Sequence, residues 1–213
     1  MTTSVALKTL VSAAALTLPL MAFGESNLQT GASTLTATAH VDFSIVIPKI
    51  LYLRVGTGAT YTGATPTLSS VGTIDAITFS PAAGTVGNAT AVAGVGGDLA
   101  GGVETAAIVS NSGNVTLSSS TGGALSDGAA GDSIAWTQIT TTAATLTSGT
   151  ALPAPALANG SGGSVVLTAP ASKLITQDAK WTYAYANSVV TPAGTYGGTA
   201  ALNGRVTYTA SMP

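Results

Sequence analysis

The chain has 213 residues, of which 46% are hydrophobic and only 7% charged, with six basic and eight acidic side chains giving a net charge of −2. Six scattered cations cannot form a face that neutralises a run of phosphates, so composition argues against nucleic acid as a partner. With no cysteine and one histidine, thiolate metal sites, disulfides and multi-histidine zinc sites are excluded.

Lys8 is the only charge before Glu25, and the run Thr9 to Gly24 is apolar, rich in Ala, Leu and Val. Ala22 and Gly24 are the small residues a signal peptidase needs, so residues 1–24 are expected to be a secretory signal cut before Glu25. A retained anchor is the competing reading. The run is short for a span of about 20 residues, and Pro19 interrupts it. Nothing later in the sequence resembles a transmembrane helix, so the mature form is expected to be exported and free of the membrane.

Glu25 to Ser33 is polar and reads as a flexible leader. From there Leu35, Ala37, Ala39, Val41, Phe43, Ile45 and Ile47 alternate with Thr34, Thr36, Thr38, His40, Asp42, Ser44 and Val46. Strict period-two alternation predicts one long strand ended by Pro48. Lys49 to Val55 is the next, with Leu51, Leu53 and Val55 on one face and Tyr52 and Arg54 on the other. Gly56, Gly58 and Gly63 mark loops.

Between Ala59 and Gly163 the chain is a Gly/Thr/Ser/Ala-rich series of short strands. Ile74–Ser80, Thr105–Ser110, Asn114–Ser119, Ser133–Thr141 and Ser164–Thr168 are each bounded by turn residues. No segment has apolar residues at sustained helical spacing. Lys180 to Asn187 sets Trp181, Tyr183 and Tyr185 against Thr182, Ala184 and Ala186, and Gly204 to Ala210 closes with Val206, Tyr208 and Ala210 on one face. The expected fold is all-β: an Ig-like antiparallel β-sandwich preceded by a long alternating N-terminal strand that another chain's sheet could accept. Its parts are the signal (1–24), a leader and candidate donor strand (25–41) and a sandwich domain (42–213). Val41, Phe43, Ile45, Leu51, Leu53, Val206 and Tyr208 are expected in its interior.

No constellation of catalytic residues is present, and neither an enzyme nor a cofactor is expected. His40, on the outward-alternating side of the first strand, reads as a surface side chain, because a Ser-His-Asp site is defined by geometry. Asp42, Asp75, Asp98, Glu104, Asp127, Asp132 and Asp178 stand apart, without a paired-carboxylate or calcium-loop motif. The loop Ser126–Ser133, with Asp127 and Asp132, reads as a solvated turn rather than a cation site. Gly94 to Gly102 lacks the Lys-Ser/Thr of a phosphate loop and reads as a mobile loop. Asn88, Asn114 and Asn159 head sequons that a Thr/Ser-rich chain produces by chance. Trp136, Trp181, Tyr183, Tyr185, Tyr196 and Tyr208 are read as core and cross-strand pairs, with a sugar-binding platform as the alternative.

The signal with its polar leader, the alternating segment Thr34 to Ile47, and the C-terminal AGTYGG…NGRVTYTASMP together resemble fimbrial pilins of bacterial chaperone–usher systems, in particular archaic, spore-coat-like pilins. The resemblance covers the two ends. It implies a pilin-like antiparallel β-sandwich with an N-terminal donor strand, acting as a structural subunit of an extracellular filament, a pilus or biofilm matrix fibre, polymerised head to tail with itself by donor-strand exchange. It further implies a periplasmic chaperone and an outer-membrane usher as partners. Leu35, Ala37, Ala39, Val41, Phe43, Ile45 and Ile47 are the donor candidates. The alternative is a secreted monomeric carbohydrate-binding or adhesive β-sandwich module. A long one-sided strand would be an aggregation liability in a monomer and makes sense when another chain's sheet accepts it.

Overall fold

The computed structural model describes residues 24–58, 68–129 and 131–213; the predicted signal lies outside them except for Gly24, as does the loop glycine Gly63. The chain divides into two units between Ile47 and Pro48. The first unit contains the leader and all seven donor candidates. Its described residues form no strand and are exposed. The single strand expected over 34–47 is therefore not formed within one chain. Period-two alternation fixes which side chains share a face, but a strand also needs a neighbour for its backbone groups.

The second unit is built of antiparallel strands, and among the described residues there is no α-helix, only 3-10 turns at Ala83–Thr85, Trp136–Gln138 and Ala200–Leu202. The fold is all-β. Its strands are β1 (Leu51–Val55), β2 (Ile77–Thr78), β3 (Val92–Ala93), β4 (Val95–Gly96), β5 (Val103–Ser110), β6 (Val115–Thr121), β7 (Leu125–Ser126), β8 (Ser133–Ile134), β9 (Ile139–Ala144), β10 (Ser161–Leu167), β11 (Ile175–Tyr185) and β12 (Val206–Ser211).

The larger sheet runs β1-β5-β11, with β9 on the opposite edge of β11 and β3 beside the end of β11. The smaller sheet runs β10-β6-β12. Two ribbons, β2-β4 and β7-β8, complete the ladders. Both larger sheets feed one apolar cluster: Ile108 and Trp181 from the first, Val115, Leu117 and Leu167 from the second, and Leu152 and Leu157 from the connection before β10. The aromatics of β11 alternate inward as their spacing requires. Trp181 is fully buried, its indole N–H donating to the Leu152 carbonyl at 2.8 Å and its ring tilted at 53° against Tyr208, 5.1 Å between centroids. The Tyr183 and Tyr208 hydroxyls bond each other at 2.9 Å.

The predicted interior is corrected at its N-terminal end. Val41 is 74%, Phe43 90% and Ile45 85% exposed. Leu51 lies at the exposed edge, whereas Leu53, Val206 and Tyr208 pack half-buried against the core. The run expected over Ser133–Thr141 is broken by the turn at Trp136–Gln138, and Ile74–Ser80 contracts to two strand residues. Gly94 to Gly102 is a packed corner rather than a mobile loop. Gly94 meets Gly102 so closely that a Cβ on Gly94 would lie 2.8 Å from the Gly102 Cα.

Candidate functional site

Two features of the second unit stand out. The first is the pair of sheet edges formed by β1 and β12. β1 is bonded through one edge to β5, Leu51 opposite Ser110 and Val55 opposite Ala106. β12 is bonded through one edge to β6, Val206 opposite Thr121 and Ser211 opposite Thr116. The other edge of each has no strand partner among the described residues. β12 alternates as its sequence dictates, Val206, Tyr208 and Ala210 toward the core and Thr207, Thr209 and Ser211 outward. These inward residues, with Met212, Leu53 and Val55, touch the core yet are only partly covered.

The start of β1 is held in place. Asn111 accepts from the Ile50 amide at 2.8 Å and donates to the Pro48 carbonyl at 2.8 Å. Lys49 donates to the Pro213 carbonyl at 3.0 Å. In the first unit, Val41, Phe43, Ile45 and Ile47 are largely exposed, Leu35 is less so, and Ala37 and Ala39 are exposed as well. The seven donor candidates thus lie together in a segment with no ladder partner among the described residues, and the His40 imidazole is 2.7 Å from a Glu25 carboxylate oxygen.

The second feature escaped the sequence. Asp75, Asp98 and Glu104 do not stand apart but gather around Arg54 at the other end of β1. Arg54 pairs with Asp98 at 2.9 Å and donates to the Gly56 carbonyl at 2.8 Å. Asp98 also accepts from the Thr105 amide at 2.7 Å, and Glu104 accepts from the Asp98 amide at 3.2 Å. Asp75 accepts from the Thr57 hydroxyl at 2.7 Å and from the Thr57 amide, and it hydrogen-bonds Glu104. Gly56 makes the meeting possible: its φ is +82°, and a Cβ there would lie 2.5 Å from Asp75 Oδ2 and 2.8 Å from Glu104 Oε2. Burial pushes the Glu104 carboxyl up to about 8, helped by the neighbouring Asp75 and Asp98 and opposed by the Asp98 amide. Burial acts on Asp75 in the same sense, but the Thr57 and Glu104 hydrogen bonds and Arg54 outweigh it and hold Asp75 below the usual range. The residues are 18 to 50 positions apart in places, which is why no short motif signals them.

The other sequence candidates take structural positions. Asp127 closes its own turn through the Ala129 amide at 2.8 Å. The sequon carbonyls are used locally: Asn88 accepts from Thr90, Asn114 from Ala169 and Asn159 from Trp136. Trp136, Trp181, Tyr183 and Tyr185 are buried, and Tyr208 lies half-covered beneath them. Comparison of the chain with known protein families, with curated proteins and with solved structures yields no match.

Proposed function

We propose that the protein is a structural subunit of an extracellular filament that polymerises by donor-strand complementation. The observation that carries this reading is the open edge of β12, with its half-covered apolar side chains, in a chain that also holds an unpaired segment of alternating apolar residues. On this reading the order β1-β5-β11-β9 in one sheet and β10-β6-β12 in the other stands for A-B-E-D and C-F of an Ig-type sandwich, with β10 an added strand on the far side of β6. The position beside β12 is then that of the missing last strand. The segment Leu35 to Ile47 of the next copy fills it, its backbone completing the ladder and every second side chain covering Val206, Tyr208, Ala210 and their β1 neighbours.

Burying Val or Leu is worth about 1.5–3 kcal/mol and Ala much less. Leu35, Ala37, Ala39 and Val41 together contribute on the order of 5 kcal/mol per joint before ordering costs, and Phe43, Ile45 and Ile47 add to it. The filament's persistence then rests largely on slow strand withdrawal. An open apolar edge during export calls for a periplasmic chaperone and an usher, in line with the resemblance at the two ends of the chain. Electron microscopy of the secreted protein tests the reading. Long fibres are expected from the parent and monomers or short oligomers from Leu35→Asp and Val41→Asp, whose charge enters a dry groove. Normal-length fibres from both variants would place the donor elsewhere, and dispersed particles from the parent would end the reading.

A further inference from the structure

Glu104 lies near the start of β5 with 4% of its surface exposed. The groups facing it are Arg54 from β1, Asp75 from the approach to β2, Asp98 from the corner after β4, and the phenols Tyr183 of β11 and Tyr208 of β12. Lys180, one step along the neighbouring ladder opposite Thr105, is exposed. The Arg54 guanidinium pairs with Asp98 and favours the charged form of Asp75, so Glu104 is left among carboxyl groups. The Glu104 and Asp75 carboxyls meet over Gly56, where a Cβ would lie 2.5 Å from Asp75 Oδ2 and 2.8 Å from Glu104 Oε2. Two ionised carboxylates have only acceptors, so a hydrogen bond between them requires a proton. Glu104 is the deeper of the two, which places the proton on it.

We propose that the Glu104–Asp75 pair is a proton-operated latch that fastens the chain entering β2 to the adjoining ends of β1 and β5. With the proton in place, Glu104 donates to Asp75, and Asp75 holds the Thr57 amide and hydroxyl. Loss of the proton leaves two facing acceptors, with Asp98 a third carboxylate beside Glu104. Asp98 keeps both Arg54 and the Thr105 amide, so Asp75, the least embedded member, is the one that swings out and takes its hold on Thr57 with it. Burial raises Tyr183 and Tyr208 above their ordinary values, so neither phenol ionises in the range where the latch works. The raised Glu104 value sets that range in mildly alkaline solution, near pH 8. Its contribution to stability is complete below the ordinary glutamate value of 4.5, declines as the unfolded chain gives up its proton, and is gone once pH passes about 8. The latch is independent of how the subunit assembles.

Nuclear magnetic resonance of the purified chain, titrated from about pH 6 to about pH 10, tests the proposal. The Thr57 and Asp98 amides, which donate to Asp75 and Glu104, are expected to move together along one curve centred near pH 8. Glu104→Gln, whose amide can still donate to Asp75, is expected to abolish that movement. Asp75→Asn removes the adjacent negative charge and is expected to lower the midpoint by about one pH unit or more; it carries the test alone if Glu104→Gln does not fold. Flat amide signals in the parent, an unchanged curve in Glu104→Gln or an unmoved midpoint in Asp75→Asn would each overturn the latch.

Discussion

Asp178 shows how a single side chain can decide where a strand runs. It is fully buried in β11, where an unsatisfied carboxylate would be costly. The Thr147 amide reaches it at 2.9 Å, the Ser148 amide at 2.7 Å and the Ser148 hydroxyl at 2.8 Å, and the Thr147 hydroxyl bonds its second oxygen. Burial alone would raise its carboxyl, but these hydrogen bonds outweigh burial and hold it below its usual value. Removing it in Asp178→Ala orphans the two amides, and a loss of about 2–4 kcal/mol is expected in urea unfolding. The acid dependence follows from the same contacts. Asp178 stabilises the fold above the ordinary aspartate value of 3.8 and loses that effect as pH falls through its lowered value. The parent should therefore lose stability in acid more steeply than Asp178→Ala, a difference that urea midpoints measured across the acid range would reveal. In the sequence Asp178 reads as an isolated charge, because its partners lie 30 and 31 positions upstream.

At the scale of elements, what the sequence discloses is the alternation, and what it conceals is the partner. β1, β6 and β12 fall where side chains alternate between turn residues, whereas β5 is buried on both faces and β10 holds two glycines near its start, so the bounding turn residues mark these two. β11 begins at Ile175, earlier than the Lys180 start that the aromatic pattern suggests, since Asp178 is an isolated acid in the sequence and its loop partners Thr147 and Ser148 show only in the fold. The two-residue strands β3, β4 and β7 are too short to show any period. The segment 35–47 has the strongest alternation in the chain and no strand at all, because alternation cannot say whose sheet will receive it. That separation yields a prediction with two readouts. Phe43 is 90% exposed, so Phe43→Ala is expected to change the unfolding free energy of the single subunit by less than about 0.5 kcal/mol. In the fibre the same truncation should weaken each joint by about 3 kcal/mol, as for a buried aromatic. Urea unfolding of monomer and depolymerisation of fibre, measured side by side, would separate the two. A large loss in the monomer would mean that Phe43 folds into its own domain.

For the whole molecule, the scarcity of charge determines which forces can drive association. With charged residues at 7% and a net charge of −2, long-range repulsion between subunits is weak and electrostatic steering has little to act on. The proposed donor carries one carboxylate, Asp42, and the exposed imidazole of His40. The inward residues of β12 and β1 that await it are Val206, Tyr208, Ala210, Leu53 and Val55, none of them ionised near neutral pH. On the proposed function, joining the two is governed by apolar burial and backbone pairing, neither of which is screened by salt. Raising sodium chloride from about 0.05 M to about 0.5 M shortens the Debye length several-fold. It should nevertheless change the rate of fibre growth by less than about threefold. Replacing chloride with sulfate should quicken growth, because excluded salts strengthen burial. Light scattering during assembly would follow both effects. Growth that slowed tenfold or more in sodium chloride would mean that ion pairs hold the joint, and the open apolar edge of β12 would then not be the surface on which the subunits meet.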